Sequence, residues 1–145
     1  MDYSLICVPN DGVNCVKALC KDGRFVPGGG ATEIELARLI QSMGEATPGL
    51  DQYAIKKFGE ALEVVPKVLA ENAGRKSTEV ISSLYATHAA GDVHTGVNIE
   101  QGEKSMVLDC KKAGILDLLS CKKSALRLGA DAAISVLRVD QVCLE

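Results

Sequence analysis

The sequence predicts a mainly α-helical protein, and three observations carry that expectation. Apolar residues make up 47% of the 145-residue chain, yet only 3% of residues are aromatic and there is no Trp. Several long stretches repeat their apolar residues every three or four positions, the spacing of one helix face. Strand-like alternation is confined to a few short segments. A core built from Leu, Ile, Val and Ala suits close packing between helices rather than a β-sandwich.

The elements follow in order. Residues 1–10 are largely apolar and run into Pro9-Asn10-Asp11-Gly12, which predicts a turn. A helix is expected from Val13, ending near Gly23. Arg24 to Pro27 is expected to be extended, because Pro27 disfavours helix in the residue before it. Gly28, Gly29 and Gly30 lead directly into a helix from Ala31, with Leu36, Leu39, Ile40 and Met43 as its apolar stripe. Glu33 and Glu35 sit near the positive end of that helix dipole.

Thr47-Pro48-Gly49 punctuates the chain before a long helix expected from about Asp51 to Asn72. Its stripe is Ile55, Phe58, Leu62, Val65 and Leu69, and Pro66 predicts a kink within it. Asn72-Ala73-Gly74 supplies a C-terminal cap. Ser77 to about Ala90 forms the next helix, with Ile81, Leu84, Tyr85 and His88 on one face. Thr95 to Ile99 and a turn at Gln101-Gly102 predict a short β-hairpin. Met106 to Ala113 is expected to be a short helix closed by Gly114, and Ile115 to Asp117 a connector. A final helix runs from Lys122 to about Val139, its wide apolar surface suggesting burial on more than one side.

Charge and cysteine usage narrow the function classes. A net charge of -3 and a pI near 5.4 argue against a nucleic-acid footprint, which needs a clustered basic surface. Cys7, Cys15, Cys20, Cys110, Cys121 and Cys143 form no C-x-x-C, and no His lies at ligand spacing, so no metal site is predicted. Free thiols in a reducing compartment, no membrane span and no signal peptide make the cytoplasm the expected location.

The triple glycine is the most unusual local feature. Without Cβ atoms, the loop lets a ligand approach the backbone, and N–H groups at a helix start attract anions. The other reading is a tight turn with close helix packing. Neither G-x-G-x-x-G nor G-x-x-x-x-G-K-[ST] is present, which removes Rossmann and P-loop assignments. Asp11 and Asp117 read locally as cap or turn residues. His88 and His94 belong to no catalytic spacing and receive no chemical role.

Val26-Pro-Gly-Gly-Gly-Ala-Thr-Glu-Ile-Glu-Leu-Ala37, Tyr53-Ala-Ile-Lys-Lys-Phe58 and the run Ala61 to Gly74 resemble the C-terminal segment of group II chaperonins. Gly114-Ile-Leu-Asp117 and Ala133 to Val142 continue the resemblance in order, from about Asp11 to Val142. It implies the end of the intermediate domain in residues 1–23, whose first ten do not match. Residues 24–145 would be the C-terminal half of the helical, ATP-binding equatorial domain.

The resemblance further implies that Gly29 lines the nucleotide pocket through its backbone. Gly96 and Ile115 would border the adenine, Asp117 would bind the ribose hydroxyls, and Asp11 would be the catalytic aspartate that positions water. The cofactors implied are ATP and Mg²⁺. The partners are other subunits of a hetero-oligomeric double ring and unfolded polypeptide substrates, with no nucleic acid and no membrane. The family's G-D-G-T-T phosphate loop, Mg²⁺-binding aspartate and apical domain have no counterpart here, and the Gly96–Gly114 spacing is longer than in many relatives. The metal ligands are therefore expected in the missing N-terminal half. The contrasting expectation is a helical interaction fragment without nucleotide binding or independent activity.

Overall fold

A computed structural model describes residues 3–100 and 105–139, with side chains from residue 10 onward. The chain divides into two compact units, one of residues 27–116 and one combining residues up to 26 with those from 117.

In the 27–116 unit four helices and a small hairpin surround one core. These are α2 (Ala31–Ala46), α3 (Asp51–Leu62), α4 (Val64–Asn72), α5 (Ser77–Ala89), β2 (Thr95–Val97) and β3 (Val107–Asp109). Ile34, Ala70, Val80, Ile81, Leu84 and Val97 are buried together, with Leu69, Tyr85 and Val107 packed against them. On α5 the buried face agrees with the spacing of Ile81, Leu84 and His88.

The helix faces of α2 and α3 differ from expectation. Leu39 and Met43 are exposed, and Ala31, Ile34, Ala37 and Gly44 are buried instead. On α3 and α4, Phe58 and Val65 are exposed, and Gly59, Leu62, Pro66 and Ala70 lie inside. The reason is close approach of backbones. A Cβ on Gly59 would lie 3.3 Å from the Ala37 carbonyl oxygen, and one on Gly44 would lie 3.3 Å from Ile55 Cγ2. Helices that cross on Gly and Ala push the larger apolar residues to the rim of the contact.

Pro66 produces a break rather than a kink. It has no N–H to donate to the Leu62 carbonyl, and its ring crowds that turn. The helix stops at Leu62, passes Glu63 at φ −67° and ψ −15°, and restarts at Val64. Pro66 then occupies the first turn of α4, where its missing N–H costs no intrahelical bond. At the far end Gly74 adopts φ 71°, with the Gly74 N–H donating to the Glu71 carbonyl and the Arg75 N–H to that of Ala70. The cap read at Asn72-Ala73-Gly74 is therefore present, in a Schellman-like arrangement.

The hairpin pairs β2 antiparallel with β3, Gly96 opposite Leu108 and Val97 opposite Val107. The expected helix at Met106–Ala113 is thus a strand followed by a turn. Asp109 Oδ1 accepts the N–H groups of Lys111 and Lys112, both at 3.1 Å, and the Ala113 N–H reaches the Asp109 carbonyl. That satisfies a single turn, which Gly114 ends at φ 74°. The turn read at Gln101-Gly102 lies outside the described residues.

The second unit holds α1 (Tyr3–Leu19) and α6 (Leu119–Leu137). Pro9, Asn10, Asp11 and Gly12 lie within α1 rather than in a turn. Their propensity costs are local, whereas starting a second helix at Val13 would cost a fresh nucleus. Residues of α6 are all at least partly exposed, with Leu128, Val136 and Leu137 more than half exposed, so the expected burial on several sides is not found. The Leu119 N–H donates to the Arg24 carbonyl at 3.0 Å. β1 (Phe25–Pro27) pairs with β4 (Leu116–Leu118), so the extended Arg24–Pro27 segment is present and the expected connector is a strand.

Because Ile34 is fully buried and Leu39 is half exposed, their truncations separate cleanly. Ile34→Ala is expected to cost about 2–5 kcal/mol in urea denaturation, and Leu39→Ala to stay within about 0.5 kcal/mol.

Candidate functional site

The site begins at the glycine loop, where two residues need left-handed backbone. Gly29 has φ 61° and Gly30 has φ 80°, values that a side chain disfavours. Gly30 caps α2 without a side-chain hydrogen bond, and its carbonyl accepts the Ile34 N–H. Thr32 Oγ1 donates back to the Pro27 carbonyl at 2.7 Å, and the Ala31 N–H to that of Gly28, which closes the loop. Among the described residues the Gly29 and Gly30 N–H groups donate to no backbone carbonyl.

Three neighbours hold this loop. The Val97 N–H donates to the Gly29 carbonyl at 2.8 Å, tying the loop to β2. The Gly28 N–H donates to the Ile115 carbonyl at 3.0 Å, and the Ile115 N–H to that of Cys110 at 2.8 Å. Pro66 lies behind Gly30, where a Cβ would come within 2.8 Å of the proline ring. Gly29, Gly96 and Ile115 are therefore one backbone constellation in the 27–116 unit.

Cys110 is the residue that sequence reasoning missed. Its buried Sγ would lie 2.8 Å from a Cβ on Gly29 and 2.6 Å from one on Gly96. A Cβ on Gly96 would also come within 2.7 Å of the Gly29 carbonyl oxygen. The side-chain directions of both glycines are thus filled by protein. The close-packing reading of the triple glycine holds on that side, and only backbone atoms remain to meet a ligand. The signal in the sequence was faint: a lone cysteine in a polar turn.

His88 is the second omission. It is buried, with Nδ1 2.9 Å from Glu35 Oε2 and Nε2 2.8 Å from the Thr95 carbonyl oxygen. Its position on the apolar face beside Leu84 was the available clue, because a buried ring must find partners. Glu35 also binds the Arg38 guanidinium, and that hydrogen bond, aided by His88, holds its carboxyl below the ordinary range despite partial burial. A second network sits at the break between α3 and α4. Glu63 accepts from Tyr85 at 2.7 Å and Gln41 at 3.0 Å, and pairs with Lys67 at 2.9 Å. Burial pushes the Glu63 carboxyl up, but these three donors outweigh it and hold it low. Burial, then the Glu63 carboxylate, pushes the Tyr85 hydroxyl far up.

The remaining expected site residues belong to the other unit. Asp11 is exposed on α1. Asp117 is half-buried in β4, its Oδ2 2.9 Å from Lys122 Nζ. Among the described residues no group of three or more His, Cys, Asp or Glu is placed to hold a metal ion.

Two outcomes follow from this geometry. Gly96→Ala must displace both Cys110 and the Gly29 carbonyl. It is expected to lower stability by about 1–3 kcal/mol, with Cys110→Ala restoring part of the loss in a double-mutant cycle. Glu35 and Glu63 have folded pKa values below the ordinary 4.5, so their stabilisation is complete above about pH 4.5. It is lost as pH falls through the lowered values, and the urea midpoint should drop between pH 5 and pH 3. Glu63→Gln should flatten that slope.

The family model "TCP-1/cpn60 chaperonin family" matches residues 8–145. The T-complex protein 1 subunit theta of Homo sapiens is 56% identical over 135 residues, covering 93% of this chain and 24% of that relative. The theta subunit of Dictyostelium discoideum is 44% identical, covering 93% of the chain and 25% of its own length. Among solved structures, the open-state monomer of a group II chaperonin from Methanococcoides burtonii superposes with a TM-score of 0.76 at 35% identity, over 81% of this chain and 29% of that one. The chain spans about a quarter of the length of the curated relatives it matches. No helix among the described residues is long and apolar enough to cross a membrane. A match over nearly the whole chain, joined to a shared helical fold, places this chain in the TCP-1/cpn60 chaperonin family.

Proposed function

We propose that the chain forms the base-and-ribose side of the ATP site in a cytoplasmic, ATP-dependent chaperonin subunit that assists protein folding. Residues 24–145 would be the C-terminal half of the equatorial domain, and residues 1–23 the end of the intermediate domain. The observation that supports this most is the backbone constellation of Gly29, Gly96 and Ile115, three positions far apart in sequence, brought together by the Val97 N–H bond to the Gly29 carbonyl at 2.8 Å and the Gly28 N–H bond to the Ile115 carbonyl at 3.0 Å.

The chemistry of the donor set suits a nucleotide. Gly29 and Gly30 offer N–H groups at the start of a 16-residue helix, where the dipole favours an anion. The Asp117 carboxylate, oriented by Lys122, can accept hydrogen bonds from ribose hydroxyls. Ile115, about 40% exposed, offers an apolar edge to a purine. Asp11 would hold a water for attack on the terminal phosphate, a role that rests on positioning. ATP supplies the phosphoryl group whose hydrolysis drives the folding cycle. Mg²⁺ and the phosphate loop would be held by residues outside this chain, as would the apical surface that meets unfolded polypeptides. Partner subunits would complete a hetero-oligomeric double ring.

A second reading, a helical interaction fragment without nucleotide binding, is favoured by one observation. Leu128, Val136 and Leu137 of α6 are more than half exposed, as an interface would be before its partner arrives.

A thermal-shift titration separates the two. With ATP at about 100 times its Kd, stabilisation of about 2.7 kcal/mol is expected, and Asp117→Ala should remove most of it while leaving the unliganded midpoint unchanged. A chain whose melting is indifferent to ATP supports the interaction reading instead.

A further inference from the structure

The backbone meeting of Gly29 with Gly96 is built around one side chain. A Cβ on Gly29 would lie 2.8 Å from Cys110 Sγ, and one on Gly96 would lie 2.6 Å from the same sulfur. Two glycines distant in sequence therefore turn their open sides toward one atom. Cys110 is fully buried, so its sulfur fills a space closed off by protein.

The main chain of Cys110 is anchored on both sides. Its N–H donates to the His94 carbonyl at 3.0 Å, just before β2, and its carbonyl accepts the Ile115 N–H at 2.8 Å. The Ile115 carbonyl in turn accepts the Gly28 N–H at 3.0 Å. The turn after Cys110 is closed by Asp109 Oδ1, which accepts from Lys111 and Lys112. The thiol lies 3.7 Å from the Leu108 carbonyl oxygen, and Leu108 stands opposite Gly96 in the hairpin. One residue thus meets Gly29 and Gly96 through its side chain and Ile115 through its backbone. We propose that Cys110 is a positioning residue for this constellation: held by its main chain, its side-chain volume sets the separation of Gly29 from Gly96 and keeps Ile115 beside the loop.

An anchored plug acts in both directions. Bulk beyond the sulfur presses on two glycine backbones, and the strain falls on the bonds that join them to their neighbours. These are the Val97 N–H to the Gly29 carbonyl and the Gly28 N–H to the Ile115 carbonyl. Loss of the sulfur leaves a gap that neither glycine has a side chain to fill. Serine keeps nearly the same size and a donor for the Leu108 carbonyl. The role rests on volume and anchoring, not on thiol reactivity. Its effect on ligand affinity rests on the nucleotide reading above, whereas the positioning itself does not.

Amide hydrogen exchange on the purified chain tests the role by comparing Cys110→Met, Cys110→Ala and Cys110→Ser with wild type. The Val97 and Gly28 amides report on the constellation, and the Leu84 amide in α5 reports on the surrounding core. In Cys110→Met, Val97 and Gly28 are expected to exchange roughly tenfold faster relative to Leu84. Cys110→Ala should show the same local pattern to a smaller degree, which keeps the test decisive if the methionine variant fails to fold. Cys110→Ser should match wild type. A merely structural role would speed all three amides by one factor. That result would overturn the proposal, as would reporters unchanged in the variants that fold, or a serine variant as loose as the alanine one. ATP affinity, read by calorimetry, is a separate arm. A roughly tenfold loss in Cys110→Met, absent in Cys110→Ser, is expected, because only chains with the constellation closed are competent to bind. Local loosening in the variants, with no ATP binding by wild type, would sink the nucleotide reading and leave Cys110 in place. Equal ATP affinity in wild type and in a loosened variant would overturn its role toward the ligand.

Discussion

The contact on which the site depends is the backbone meeting of Gly29 and Gly96. A hydrogen bond from the Val97 N–H to the Gly29 carbonyl joins a loop at the start of α2 to the first strand of the hairpin. The approach is possible only because neither glycine carries a Cβ, and Cys110 fills the space both would have used. Pro66 performs the same service behind Gly30, so the break between α3 and α4 and the shape of the loop are set by one residue. The rest of the unit matters to the loop mainly as the frame that brings Pro66 and Cys110 to its back.

That arrangement changes how the triple glycine should be understood. Ligand access and close packing were competing explanations when only the local sequence was considered. In the folded unit protein occupies the side-chain directions, and among the described residues the Gly29 and Gly30 N–H groups donate to no backbone carbonyl. The same division means that Gly29 and Gly96 leave backbone rather than side-chain atoms to meet any ligand.

Much of the fold was legible because it is written in local patterns. The α5 face, the cap at Gly74 and the extended segment before the loop follow from periodicity and from the special conformations of Gly and Pro. The faces of α2 and α3 were not legible. A count of large apolar residues selects Leu39, Met43 and Phe58, whereas the helices meet on Ala37, Gly44 and Gly59. Close helix crossings invert the usual rule, and nothing local marks them. The strand at Val107–Asp109 was hidden because it is three residues long and its pairing partner, Thr95–Val97, is not adjacent in sequence. Of the proposed site, Gly29, Gly96, Ile115, Asp117 and Asp11 were reached through family resemblance. Cys110 and His88 needed coordinates, since each matters only for what it touches.

The central claim is that the Gly29–Gly96 backbone faces a nucleoside. The most direct measurement is residue-resolved amide hydrogen exchange of the purified chain with and without ATP. The amides of Gly29 and Gly30, which among the described residues donate to no backbone carbonyl, are expected to become protected together when ATP is added. Saturating ATP that leaves both amides exchanging at their unliganded rates would contradict it.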